Sequence, residues 1–148
     1  MAAGDVLYLP GDMVTLEAGE ALAKGDVVYV SGVATETDYL VAVSKAGPTD
    51  AAIAVAQEAA AAVGDAVTCL LMAAVVELVA NEAITIGAYV TGGGTTAGRV
   101  SPFDTTAVAT GSLVQYVIGV AFEAASADGD VIYVALMQWG NMDSGQAP

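Results

Sequence analysis

Acidic side chains are the first place to look for chemistry in this chain. Its 148 residues include 17 Asp and Glu, three Lys and Arg, and no His, for a net charge of −14. Without His it lacks the commonest general base, the usual zinc ligand and the Ser-His and Cys-His couples. Glu58 and Glu123 stand in matching sequence contexts and are the pair to weigh for glycoside hydrolysis. That reaction needs two carboxyl groups in different environments, one kept protonated and one ionised. Two equivalent Glu in equivalent turns do not supply the difference. Asp26, Asp65 and Asp130 each follow a Gly. A calcium loop clusters its oxygen ligands closely in sequence, and no D-x-D-x-D-G run occurs. The turn reading fits better: Gly supplies a positive φ, and Asp hydrogen-bonds the backbone a residue or two on. Gly92-Gly93-Gly94 is followed by TTAGRVSP, with no Lys and no helix signal to complete a phosphate loop, and reads as a flexible hairpin tip. Cys69, the lone Cys, excludes an intramolecular disulfide and a thiolate metal site. No catalytic residue, metal ligand or cofactor is expected.

The elements that carry these residues are duplicated. Residues 53–72, IAVAQEAAAAVGDAVTCLLM, align without a gap with 118–137, IGVAFEAASADGDVIYVALM, at 11 of 20 positions and an offset of 65. Upstream, 13–26 aligns with 75–88 at an offset of 62, matching Val14/Val76, Leu16/Leu78, Ala18/Ala80, Glu20/Glu82, Ala21/Ala83 and Gly25/Gly87. The second copy thus carries a net three extra residues in its middle. An internal repeat of this length governs the fold. The expected organisation is an N-terminal arm 1–12, a duplicated domain 13–137 with repeats 13–72 and 75–137, and a C-terminal tail 138–148. A half of this size buries little by itself, so one shared core is expected. Cys69 aligns with Val134, which marks it as a small buried residue.

Gly-Asp followed by a Val-rich run occurs at Gly25-Asp26, Gly64-Asp65 and Gly129-Asp130, and a degenerate copy stands at Gly87-Ala88. Each marks a tight turn into a strand. Strands are expected at Val6–Leu9, Met13–Leu16, Val27–Val30, Tyr39–Val43, Ala51–Ala56, Val67–Met72, Val75–Val79, Ala88–Thr91, Arg99–Ser101, Leu113–Phe122 and Val131–Met137. Gln57–Val63 is Ala-rich, and one turn of helix is expected there. The fold class is all-β, a compact barrel or sandwich of two pseudo-symmetric repeats with little helix.

Composition narrows the function. Hydrophobic residues make up 56% of the chain and charged ones 14%. No uninterrupted apolar run is long enough for a membrane helix, and no positively charged n-region opens the chain. Three isolated cations cannot neutralise a phosphate backbone, so neither nucleic acid nor membrane is an expected partner. Tyr29, Tyr89 and Tyr133 fall at strand positions with a polar end toward the rim. Tyr8, Leu9, Trp139 and Met142 are the interface candidates, because aromatic and large apolar residues at the tails of a fold suit a partner.

Thr15–Val30, TLEAGEALAKGDVVYV, and Ile118–Leu136, IGVAFEAASADGDVIYVAL, resemble the capsid decoration (cement) proteins of tailed phages, once filed as a domain of unknown function in phage structural operons. The resemblance spans 13–137. It implies a non-enzymatic β-barrel-like protein on the exterior of an icosahedral capsid, stabilising it. It further implies the major capsid protein as partner and self-association, the trimer favoured over the dimer. The protein would be made in the host cytoplasm and reside in the virion. Another virion subunit, of the tail, a fibre or the head-completion machinery, is the alternative. A carrier barrel of the biotinyl type would need a Lys between the halves, where 72–75 is Met-Ala-Ala-Val.

Overall fold

The computed structural model describes residues 3–4, 6–8, 13–36, 39–71, 75–104, 115–136 and 141–142. Its strands are β1 (Val6–Tyr8), β2 (Met13–Ala18), β3 (Val27–Val33), β4 (Val41–Lys45), β5 (Ala52–Ala56), β6 (Ala66–Leu71), β7 (Val75–Val79), β8 (Tyr89–Gly92), β9 (Val100–Pro102), β10 (Gln115–Tyr116), β11 (Gly119–Ala121), β12 (Val131–Leu136) and β13 (Asn141–Met142). The protein is all-β, and no helix occurs among the described residues.

The first repeat is a closed barrel in the order β2-β4-β3-β5-β6. Every contact in it is antiparallel except β2 with β4, where Ala18 lies opposite Val43 in parallel and closes the cylinder. The second repeat runs β7-β12-β11-β8-β9 in the same order and extends its β7 edge with β1. Its parallel closure survives as a single bridge between Ala80 and Val100. The bonds at the closure correspond: Gly19 N–H donates to Val43 O at 2.7 Å, and Asn81 N–H to Val100 O at 2.7 Å. The offset between repeats is therefore 62 at Ala18/Ala80 and 57 at Val43/Val100, before reaching 65 beyond. The net insertion is a shortening around β8 and β9 followed by a longer connection before β11.

The interiors explain the Ala/Val-rich composition, since a small barrel is filled by its own side chains and has room only for modest ones. The first barrel encloses Leu16, Ala18, Leu22, Val28, Val43, Ala54, Ala56, Ala60, Val67 and Cys69. The matching positions of the second repeat include Leu78, Ala80, Ile84, Val90, Val100, Ala121, Ala125, Ile132 and Val134. Two interiors thus replace the one expected core. The second is larger because Val27, Ala46, Ala52, Val55 and Leu70, on the outside of the first barrel, join it. Each Val or Leu buried in that seam contributes about 2 kcal/mol.

Several local expectations change. Residues 57–63 form bends and a turn with no helical residue. The connection is fixed instead by the Leu22/Ala60 bridge, which outweighs the helix propensity of Ala. Leu113–Phe122 is not one strand: β10 and β11 are separated at Val117-Ile118, which are buried without pairing as strand. The Gly92-Gly93-Gly94 segment is not a free tip. Gly92 and Gly93 are buried at the seam, and a Cβ on Gly92 would meet Gly47 O at 2.4 Å.

Candidate functional site

The turn residues singled out in the sequence are brought into one repeated geometry. Gly25, Gly64, Gly87 and Gly129 have φ of 93°, 91°, 83° and 92°, a region L side chains rarely adopt. The following Asp reaches back three residues. Ala23 N–H donates to Asp26 Oδ2 at 2.8 Å, and Ala62 N–H to Asp65 Oδ2 at 3.0 Å. Asp130 Oδ2 accepts from the Ser126 N–H at 2.7 Å, the Ser126 hydroxyl at 2.8 Å and the Ala127 N–H at 3.2 Å. These bonds, led by the Ser126 hydroxyl, hold the Asp130 carboxyl below its ordinary range. Ala88 forms the same turn with backbone alone, its N–H donating to Thr85 O at 3.1 Å. The Asp therefore braces a turn that Gly already specifies, from the side opposite to the one expected.

Glu58 and Glu123 occupy equivalent exposed turns and accept bonds from Thr68 N–H and Tyr133 N–H. The Cys69 thiol is fully buried, and burial followed by the nearby Glu58 charge pushes its pKa up to about 11. It is not a thiolate at neutral pH and has no nucleophile's environment.

Two further carboxylates were not visible as special in the sequence. Glu17 is buried on β2 and accepts from the N–H and hydroxyl of Thr35 and the N–H of Glu36 at 3.0–3.1 Å. Those backbone donors, Thr35 first, lower its pKa. It pins the β3–β4 connection. In the second repeat the buried Asn81 does the equivalent work, donating to Thr95 Oγ1 at 2.7 Å and accepting from Thr96 N–H at 2.8 Å. Glu77 is buried opposite Tyr133 on β7 and β12. Its Oε2 has no hydrogen-bond partner among the described residues. Burial, then the Glu77 and Glu123 charges, raises the Tyr133 pKa.

A cleft of about 350 Å³ is lined by Pro48, Glu82, Thr91, Ser101, Asp104 and Gln115. Asp104 N–H donates to Gln115 Oε1 at 2.8 Å, and Gly94 N–H to Ser101 Oγ at 3.0 Å. Among the described residues no three acidic, Cys or His side chains converge as metal ligands. No described helix is long and apolar enough to cross a membrane.

The most distinctive surface is the outside of the six-stranded sheet. Val75, Ala135, Val120 and Tyr89 stand opposite one another across β7, β12, β11 and β8. Phe103 continues the row, its N–H donating to Tyr89 O at 2.8 Å. Phe122, Val131 and Ile86 flank it and are 56%, 40% and 63% exposed. A sheet face open to water is ordinarily polar. The sequence carried a signal for it: β12 reads Val-Ile-Tyr-Val-Ala-Leu with no polar alternation. Of the tail residues named as interface candidates, Leu9 and Trp139 lie outside the described residues. Tyr8 and Met142 are described only as backbone, pairing with Val75 and Gln115.

No protein-family model matches the chain, and no curated protein does. Among solved structures it is similar to the N base of the head fiber gp8.5 of bacteriophage phi29, with a TM-score of 0.61 and 21% identity. That match covers 85% of this chain and 93% of the other. The all-β fold of two repeats is thus one shared with the base of a phage head fiber.

Proposed function

We propose that this chain is a structural, non-catalytic subunit of a tailed-phage virion that binds the outer surface of the icosahedral head and stabilises it. The observation that carries the reading is the fold likeness to a head-fiber base, which spans nearly the whole of both chains. The decoration-protein pattern of Thr15–Val30 and Ile118–Leu136 supports the same location. Its partner is then the major capsid protein, met at many equivalent lattice positions so that modest contacts add through avidity. A second reading, the base of a fibre attached to the head, is favoured by the printed identity of the structural neighbour. Both readings put the chain on the head exterior, and they differ in copy number. Purified protein mixed with heads lacking it should co-sediment with them and raise their heat-disruption temperature. Near-saturating copy number supports decoration, a few copies per head support a fibre base, and no co-sedimentation refutes both.

A further inference from the structure

The four turn glycines share one backbone geometry but not one neighbourhood. Gly64, Gly87 and Gly129 have open space where a Cβ would stand. Gly25 is buried, and a Cβ there would lie 2.8 Å from the Ala3 Cβ. The contact is mutual: Gly4 has a φ of 85°, and a Cβ on it would lie 2.9 Å from the Gly25 N. Glycine is thus required on both sides where the start of the chain crosses a turn of the first barrel.

The same start of the chain is tied to the second repeat. The Gly4 N–H donates to Glu77 O. β1 pairs with β7 at Val6/Val76 and Tyr8/Val75, with a register shift between the two. Ala3, Gly4 and β1 therefore bridge the repeats. β1 is three residues long and ends the six-stranded sheet. A short strand at a sheet edge is the kind of element that opens ahead of the whole fold.

Glu77 opposes that docking. It is 6% exposed, and its Oε2 has no hydrogen-bond partner among the described residues. Its counterpart in the first repeat is Thr15, which is exposed. β2, the counterpart of β7, pairs with β6 from Met13 to Glu17, and on its other edge β4 meets only Glu17 and Ala18. At this place the second repeat differs by β1 on one side and by Tyr133, in the position of Thr68, on the other. A buried carboxylate oxygen left unpaired disfavours the arrangement that buries it.

We propose that the N-terminal arm is a releasable strap across the two repeats, and that Glu77 sets how readily it lets go. Gly4 and Gly25 hold the strap by close backbone contact. The unpaired Glu77 oxygen favours release, which admits water to the carboxylate. Opening frees the β7 edge and the Gly25 turn together while both interiors stay packed. The inference concerns the chain alone and does not rest on head binding.

Amide hydrogen exchange of the full-length protein tests it. The Gly4 N–H is expected to exchange at least about tenfold faster than the slowest amides of β12, through an opening short of global unfolding. Glu77→Leu, which keeps the volume and removes the unpaired oxygen, should slow Gly4 exchange about tenfold. Glu77→Thr, which installs the residue of the first repeat, repeats the measurement if the Leu variant melts early. Gly25→Ala should speed Gly4 exchange about tenfold. Gly64→Ala, at nearly the same φ but with no neighbour, should leave it unchanged. Gly4→Ala, read at its own amide, replaces Gly25→Ala if that variant does not fold. Gly4 exchange that occurs only with global unfolding overturns the proposal. So does unchanged or faster exchange in Glu77→Leu, or an equal effect of Gly25→Ala and Gly64→Ala.

Discussion

Glu58 and Glu123, 65 residues apart in sequence, hold the same bond in the two repeats: Thr68 N–H donates to Glu58 Oε1 at 2.8 Å and Tyr133 N–H to Glu123 Oε2 at 3.3 Å. Each ties a turn to the strand that follows. Replacing either by Ala should cost about 1 kcal/mol, typical of an exposed hydrogen bond. The double variant should lose the sum, because the sites share no partner. Thermal melts of the three variants check this. Strongly unequal losses would contradict the equivalence of the repeats.

Glycine substitutions should rank by what the added Cβ meets. At Gly92 it would lie 2.4 Å from Gly47 O, a backbone atom across the seam. Gly92→Ala is therefore expected to cost about 3 kcal/mol or more, the upper end for overpacking. At Gly129 the space is open but φ is +92°, so Gly129→Ala costs about 1–2 kcal/mol of backbone strain. Gly32 has neither obstacle, and Gly32→Ala should be neutral or slightly stabilising. Denaturant midpoints of the three give the order directly.

These positions also show where the sequence was legible. Gly25, Gly64, Gly87 and Gly129 were readable as strand-initiating turns because positive φ and a following β-branched run are local properties. The pairing of the halves position by position was readable from Glu58/Glu123 and Leu16/Leu78. What was not readable depends on distant partners. The parallel closure of Ala18 on Val43 has no local signature, and neither has the burial of Gly92 against Gly47. Val117 and Ile118 looked like strand because burial and strand pairing leave the same apolar letters. The division into two interiors escaped notice because Val27, Val55 and Leu70 point outward from one barrel into the other, which alternation alone does not reveal.

The pH dependence should centre on the carboxyls held below their ordinary range, Asp130 and Glu17. The Glu17 pKa is lowered from 4.5 in the folded protein, first by the Thr35 N–H and then by the Glu36 N–H. A depressed carboxyl pKa stabilises the fold above the unfolded value, and that contribution is lost as pH falls through the folded value. Wild type should therefore lose stability below pH 4.5. Glu17→Gln should be less stable at neutral pH and flatter across that acid window. Asp26 acts in the opposite sense. Burial raises its pKa, against the lowering effects of the Ala23 N–H, Lys45 and Arg99. Protonating it removes a penalty and does not add one. Melting curves of both proteins from pH 7 downward test the assignment.

Cys69 should behave as an apolar core residue. With its pKa at about 11, it should resist thiol reagents at pH 8 in the folded protein and react on unfolding. Val134 fills the matching position, so Cys69→Val should change stability by less than about 1.5 kcal/mol. Fast labelling of native protein would contradict the buried placement.

The central proposal is that this barrel and its adjoining six-stranded sheet sit on the outside of a phage head. Electron cryomicroscopy of heads incubated with the purified protein tests it most directly. Added density of one small barrel with an adjoining six-stranded sheet per chain is expected on the exterior of the shell. Heads unchanged by incubation, or added density on the tail alone, would contradict it.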